Sequence, residues 1–495
     1  MLTGIFSWIA RIAYKIVKVL LRIVFWLMVV LGLLSFAVFV ILVFYLASDN
    51  TNPKTAETIH VAAAQGKFAY KLTEPNELKA LLGPPTTEII TNDGGMQAMF
   101  LIYPGVIAKF GKMKDFSSTF TLIYLKTGGR NFCIGNFFET FGGVPVDIGM
   151  GRQVTLRNEV DLTKFNTFWG LAGVSLENVY LKDQKNVLET MSFDSLTVWP
   201  EPNKMPEGFE PARLLEEGKN PGLGIRSLHK QGIDGNGVGI AIIDQPLLQN
   251  HKEYAERLVK YQPIGLLARV SSPQMHGPPV CSIAVGRTCG VAPAAALFYY
   301  SVTTWLNNCR PFCDAINKIL ELNKTLKASE KIRVVSISTG MFSAWENFDD
   351  WKKTVEKAAG EGILIVTCDP AFLEYGTLAR ISNKDPDDPL SYKLGIYSPR
   401  NPVLLVPTGN RTIASYRGPE VYTFDRVGGM SWAAPYLAGL AALAFQVDHE
   451  IKPEKIVELW LQTAVKTDAG AIVNPAGFIG AVQKLRSQTG GKDVK

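Results

Sequence analysis

An α/β C-terminal half, preceded by an α+β segment and one membrane-spanning helix, is the architecture this 495-residue sequence predicts. Three observations carry that reading. The run Gly237-Val238-Gly239-Ile240-Ala241-Ile242-Ile243-Asp244 is apolar and ends in a carboxylate, as a buried strand does at the carboxyl edge of an open α/β sheet. Gly429-Met430-Ser431 opens a stretch of small residues reaching Gly439, which places one serine at the head of a helix. Residues 23–47 contain no charge, and 25 residues at about 1.5 Å each are enough to cross a hydrocarbon core of about 30 Å.

Length and composition set the frame for these elements. The chain is longer than one usual domain, so two folded domains plus a tail are expected, and 47% hydrophobic against 19% charged residues supplies a core and argues against general disorder. A net charge of +6 is modest, and no basic stripe with interleaved aromatics appears, so nucleic-acid binding is not expected. Four basic residues, Arg11, Lys15, Lys18 and Arg22, cluster within residues 1–22, read as a basic amphipathic cytoplasmic segment along the inner leaflet. By the positive-inside rule this cluster stays in the cytoplasm, so the 23–47 span is a single-pass anchor with the remainder of the chain extracytoplasmic. A cleaved signal peptide is the competing reading. Its apolar core usually runs about 7–15 residues, and bulky Tyr45 sits two positions before Ala47, so an uncleaved anchor is favoured.

Residues 48–59 are polar, contain Pro53 and read as a tether. Residues 60–200 read as an accessory α+β domain, with strands at 98–103 and 120–125 and helical stretches near 77–82 and 187–191. Pro200, Pro202, Pro206 and Pro211 mark 201–219 as a stiff, exposed linker. Residues 220–488 then form the second folded domain, and 489–495 a short tail. No internal repeat has a convincing period.

A serine hydroxyl attacks a carbonyl only when an imidazole takes its proton and a carboxylate orients that imidazole. The chain supplies both upstream of Ser431: Asp244 at the end of its apolar run and His276, 32 positions later. Glycines 235, 237 and 239 precede the strand instead of following it, so a dinucleotide-binding loop fails on order.

Further blocks surround these residues in order. They are Gly224-Ile225-Arg226 to Gly232 with Gly235-Asn236-Gly237-Val238, Gly290-Val291-Ala292-Pro293 with Leu297-Phe298-Tyr299-Tyr300, Val334-Val335-Ser336-Ile337-Ser338-Thr339-Gly340, and Lys452-Pro453-Glu454 through Thr463 with Val473-Asn474-Pro475. Together they resemble the subtilisin-like serine peptidases across the C-terminal half. The resemblance implies a mostly parallel sheet flanked by helices, with Asp244 orienting His276 and Ser431 as nucleophile. It also implies a peptide substrate laid along the edge of Ser338-Thr339-Gly340-Met341 as an added strand.

Departures from that pattern define what is expected to be unusual. Pro278-Pro279 follows His276-Gly277, which a helix tolerates in its first turn. Met430 and Trp432 flank the serine where the family most often has Thr and Met. Met341 replaces a glycine, from which a narrower pocket is expected. After the strand-like run 362–368, where a side-chain amide usually supplies the oxyanion donor, the chain has Asp369, which can donate only when protonated. The segment 60–200 is longer than the family's inhibitory propeptide, and reads as a docking or regulatory module or a divergent propeptide.

The resulting expectation is a serine endopeptidase working through an acyl-enzyme, with a silent subtilase fold used for binding as the alternative. Its partners are a peptide or protein substrate and the membrane. No cofactor or metal is expected: Asp385, Asp387 and Asp388 read as a solvated loop more than a structural calcium site. Six cysteines are too few for a disulfide scaffold, and Cys309 and Cys313 lack the companion ligands that zinc requires.

Overall fold

The structure is a computed structural model. It describes residues 75–133 outside 94–95, 104–105, 114–118 and 128–129, then 154–155, Leu162, and 170–488 outside 266–267, 269–272, 303, 305–307, 397 and 400. The expected cytoplasmic segment, membrane span, tether and C-terminal tail lie outside the described residues.

Helix α1 (Pro75–Leu82) precedes five strands, β1 (Thr87–Asp93), β2 (Met96–Tyr103), β3 (Val106–Met113), β4 (Thr119–Thr127) and β5 (Arg130–Cys133). Each pairs antiparallel with the next, so the sheet is a meander in chain order. The expected strands 98–103 and 120–125 fall inside β2 and β4, and the expected helix 77–82 inside α1. Asp93 pairs with Met96 across Gly94-Gly95, the kind of dipeptide that a two-residue hairpin connection favours.

A second region begins at 170. Strand β6 (Val154–Thr155) pairs in parallel with β7 (Val174–Ser175), and α2 (Lys185–Leu188), β8 (Phe193–Asp194), α3 (Pro211–Glu217) and α4 (Ile225–Lys230) follow. Here the structure corrects the expected linker at 201–219. Pro200 and Pro206 are buried, and Pro211 starts α3 as its first residue. The Leu215 carbonyl accepts from Thr412 Oγ1 at 2.7 Å, and the Gly218 carbonyl accepts from the Thr412 amide at 2.9 Å. The physical reason lies in the apolar residues among and beside the prolines: Phe209 is buried, and Trp199, Met205, Leu214 and Leu215 pack against a cluster with Leu176, Leu181 and Phe193. Prolines fix φ, but apolar side chains decide whether a segment is buried.

The central sheet runs β10 (Leu258–Pro263), β11 (Ala296–Ser301), β9 (Gly239–Asp244), β12 (Ile332–Ile337), β13 (Leu364–Thr367), all parallel. Every residue of β9 is buried, as a central strand covered on both faces requires. Helices α6 (Arg310–Thr325) and α7 (Phe348–Gly360) bury apolar stripes in one cluster with Ala241, Ile243 and Val335. Alternate strand residues, Ile240, Ile242 and Val334, belong instead to the larger cluster with α5 (Gly277–Val285) and α8 (Met430–Val447).

Among the described residues α8 is the one helix long and apolar enough to cross a membrane, and its burial identifies it as a core helix. Its small residues permit close approach: a Cβ on Gly439 would stand 2.6 Å from Val291 Cβ. The remaining strands, β14 (Tyr375–Arg380), β15 (Tyr392–Leu394), β16 (Leu404–Gly409), β17 (Arg411–Ala414), β18 (Tyr422–Asp425), β19 (Val465–Thr467) and β20 (Gly470–Ile472), belong to two further sheets, one of five strands and one of three. One of these, β17-β18-β8, joins the 193–194 strand to the C-terminal half. Helices α9 (Pro453–Thr463) and α10 (Pro475–Gln488) close the fold.

Candidate active site

Parallel strands deliver their carboxyl ends to one edge, and the candidate residues sit there. Asp244 ends β9, Ser338 follows β12 and Asp369 follows β13. Asp244 is 3% exposed, and its carboxylate meets His276 Nδ1 at 2.8 Å through Oδ1 and 3.0 Å through Oδ2. Oδ1 also accepts from the Gln245 amide at 2.7 Å, which fixes the carboxylate. With Nδ1 engaged on an acceptor, the neutral ring carries its proton there and leaves Nε2 as the basic nitrogen.

His276 is the N-cap of α5, and Gly277, Pro278 and Pro279 form its first turn, where missing amide protons break no helical bond. The ring is 9% exposed and lies 5.1 Å, centroid to centroid, from the indole of Trp432. Trp432 donates from Nε1 to Asp425 Oδ2 at 2.5 Å. Burial raises the Asp425 carboxyl above its ordinary value, opposed by donors from Trp432, Gly428 and Val427. Sequence reasoning missed this indole–carboxylate pair. Its signal was the polar ring immediately after the serine, which when buried needs an acceptor.

Ser431 is the second residue of α8, so its amide precedes the first intrahelical hydrogen bonds and faces the positive end of the helix dipole. Pro435, four positions on, has no N–H to offer the Ser431 carbonyl. Ser338 Oγ fills that vacancy, donating to the Ser431 carbonyl at 2.8 Å, while Ser431 Oγ donates to the Ser338 carbonyl at 3.2 Å. This reciprocal pair ties the end of β12 to the head of α8. In this conformation the serine hydroxyl is turned to Ser338 instead of His276.

The segment expected to hold substrate is partly occupied by the fold itself. The Thr339 carbonyl accepts from the Cys368 amide at 3.1 Å, and the Gly340 carbonyl accepts from Thr339 Oγ1 at 3.3 Å. Each carbonyl oxygen keeps a second lone pair. A Cβ on Gly340 would lie 3.7 Å from the Asp369 Cα, so β12 and β13 stay close beyond their last ladder pair.

Met341, expected to narrow a pocket, is 3% exposed and packs in the cluster with Ile337 and Trp351, so the structure places it in the core. Phe342, the next residue, is exposed and packs edge-on to Trp345 with centroids 5.5 Å apart.

Asp369 points its Oδ1 at the Ala371 amide, 2.9 Å away, while its own amide donates to Thr367 Oγ1 at 3.2 Å. Oδ1 is thus engaged as an acceptor, and a carboxylate oxygen offers no hydrogen to a developing oxyanion. The acidic loop beyond β14 is exposed, and its carboxylates accept from nearby backbone amides. Asp385 Oδ1 accepts from the Asp387 amide, Asp387 Oδ1 from the Gly224 amide and Asp388 Oδ1 from the Leu390 amide. Among the described residues no group of three His, Cys, Asp or Glu side chains is arranged to hold a metal ion. Cys281, Cys289, Cys309, Cys313 and Cys368 are free thiols, and burial pushes Cys289 and Cys368 up to about 12.

Residues 235–369 match the subtilase family, a span that includes Asp244, His276 and 338–341 and ends at Asp369, short of Ser431. The subtilisin-like protease PopC of Myxococcus xanthus (strain DK1622) is 35% identical over 89 residues, 16% of this chain and 19% of that relative. The chain thus aligns with about a fifth of that relative's length.

Among solved structures, the A-subunit of the AB5 toxin from E. coli aligns with a TM-score of 0.43 and 15% identity over 54% of this chain and 99% of that one. A cold adapted subtilisin-like serine proteinase aligns with a TM-score of 0.36 and 18% identity over 48% and 89%. Residues 235–369 match a domain of the subtilase family, within an α/β fold whose parallel central sheet is flanked by helices.

Proposed function

We propose that the chain is a serine endopeptidase in which Ser431 is the nucleophile, His276 the general base and Asp244 the group that orients it. The observation that supports this most directly is the buried Asp244–His276 contact at 2.8 Å, beside the helix that begins at Met430. In the first half-reaction the Ser431 hydroxyl rotates from the Ser338 carbonyl, passes its proton to His276 Nε2 and bonds to the scissile carbonyl carbon. The tetrahedral oxyanion is met by the Ser431 amide and the helix dipole, the imidazolium by Asp244. Collapse expels the amine with the proton from His276, and water repeats the sequence on the acyl-enzyme.

Purified protein is expected to hydrolyse a mixed peptide library, with cleavage abolished by Ser431→Ala and by His276→Ala while folding is retained. Equal cleavage by wild type and both variants sinks the assignment.

The Asp369 carboxylate and the Ser431–Ser338 bond favour a second reading, a slow or silent subtilase domain used for binding. We extend the proposal to location: residues 23–47 anchor the chain, with the peptidase domain on the extracytoplasmic side. Protease added to intact cells is expected to digest the C-terminal domain, and complete protection there contradicts that orientation.

A further inference from the structure

Away from the candidate active site, a cavity of about 430 Å³ lies between α3, α4 and the loop after β14. Its wall carries four cations, Arg213, Arg226, Arg380 and Lys384, and one carboxylate, Glu217, which is exposed and 3.8 Å from Arg213. Among the described residues neither Arg226 nor Lys384 belongs to an ion pair. Asp387 sits on the same loop, but its Oδ1 accepts from the Gly224 amide and from Asn220 Nδ2.

Arg380 is 7% exposed. Its terminal nitrogens donate to the Gly218 and Asn220 carbonyls, and its Nε has no hydrogen-bond partner. Two more guanidinium groups are buried behind it without lining the cavity, and Arg411 stands across the β17–β18 ladder from Asp425. Arg411 is 1% exposed with Nε and one terminal nitrogen unpartnered, and burial together with Arg380 lowers it to about 10. Arg426 reaches Ser382 Oγ at 3.4 Å and Asn410 Oδ1 at 3.3 Å, and both of those residues line the cavity.

A buried guanidinium without a carboxylate is costly to hold, and packing must offset that cost. Placing Arg380 in the wall of an open cavity rimmed by further cations is the arrangement that an anion would complete. The planar fork of arginine fits oxyanions of carbon or phosphorus.

We propose that this cavity binds a compact polyvalent oxyanion, a phosphate or a di- or tricarboxylate, with Arg380 as the buried contact and Arg226 and Lys384 at the rim. Bound there, the anion clamps α3 and α4 to the β14 loop. The site is independent of the peptidase chemistry, so neither assignment depends on the other.

The test is thermal unfolding and titration calorimetry of the full chain in detergent with inorganic phosphate, pyrophosphate or citrate, against sodium chloride at matched ionic strength. At least one of the three is expected to bind saturably and raise the melting temperature above the chloride control, and the pattern separates phosphoryl from carboxylate ligands. Arg226→Ala/Lys384→Ala, at exposed positions, is expected to weaken that binding roughly tenfold or more, the scale of a lost charge-assisted contact. Arg380→Gln is expected to abolish it, and the rim variant decides alone where Arg380→Gln does not fold. No stabilisation beyond chloride by any of the three anions, or unchanged affinity in the rim variant, overturns the proposal.

Discussion

Asp369 is one residue on which the rate of the proposed chemistry turns. Its carboxylate accepts from the Ala371 amide, an interaction that an asparagine oxygen reproduces while its amide nitrogen becomes a donor. Asp369→Asn is therefore expected to raise kcat for a peptide ester by as much as about 10²–10³, the scale of one oxyanion donor, with KM little changed. An unchanged kcat means that the side chain does not face the reacting carbonyl.

At this scale the sequence was legible where residue type and spacing sufficed. An aspartate at the end of an apolar strand and a histidine 32 positions on led to the contact found at 2.8 Å. It was not legible where a contact depends on backbone placement. The Ser338 hydroxyl reaches the Ser431 carbonyl because Pro435 leaves it open and α8 crosses the end of β12, facts separated by 93 positions of chain.

At the scale of elements, Glu253 shows how the loop after α5 is held to β18. It is 1% exposed and accepts from Thr288 Oγ1 at 2.7 Å, the Thr288 amide at 2.8 Å, the Cys289 amide and the Tyr422 hydroxyl. Burial alone raises its pKa, and these donors outweigh it, leaving the carboxyl below its ordinary value. A depressed folded-state pKa contributes stability that is present above the unfolded pKa and lost as pH falls through the folded one. Urea unfolding should therefore show stability falling below the ordinary carboxylate range, with a shallower fall in Glu253→Gln. That variant is expected to lose about 3–5 kcal/mol at neutral pH, because donors that met an anion meet a neutral amide.

The strand β9 and the start of α5 were readable from local pattern, since an apolar run and prolines in a first turn each allow few conformations. The placement of Met341 was not. Whether a side chain just past a strand turns to the cleft or to the core depends on α7, whose Trp351 helps to bury it.

The whole molecule joins its parts differently from the division the prolines implied. Phe193 is fully buried between Trp199 and Phe424, with ring centroids 5.3 and 5.4 Å away, and its strand extends the β17-β18 sheet. Phe193→Ala is expected to destabilise the C-terminal half by about 3–5 kcal/mol, read from the urea midpoint of intrinsic tryptophan fluorescence. Unfolding of the C-terminal half that is unchanged by this variant contradicts the shared core. Proline spacing concealed this arrangement because linker composition was weighed without the five apolar side chains among and beside the prolines, Trp199, Met205, Phe209, Leu214 and Leu215.

The central claim, that Ser431 is an activated nucleophile, is tested most directly by reaction of the folded protein with a fluorophosphonate and mass spectrometry of the digest. The account predicts one covalent adduct, on Ser431, absent from Ser431→Ala and strongly reduced in His276→Ala. Folded wild-type protein that acquires no adduct, or an adduct that persists in Ser431→Ala, contradicts it.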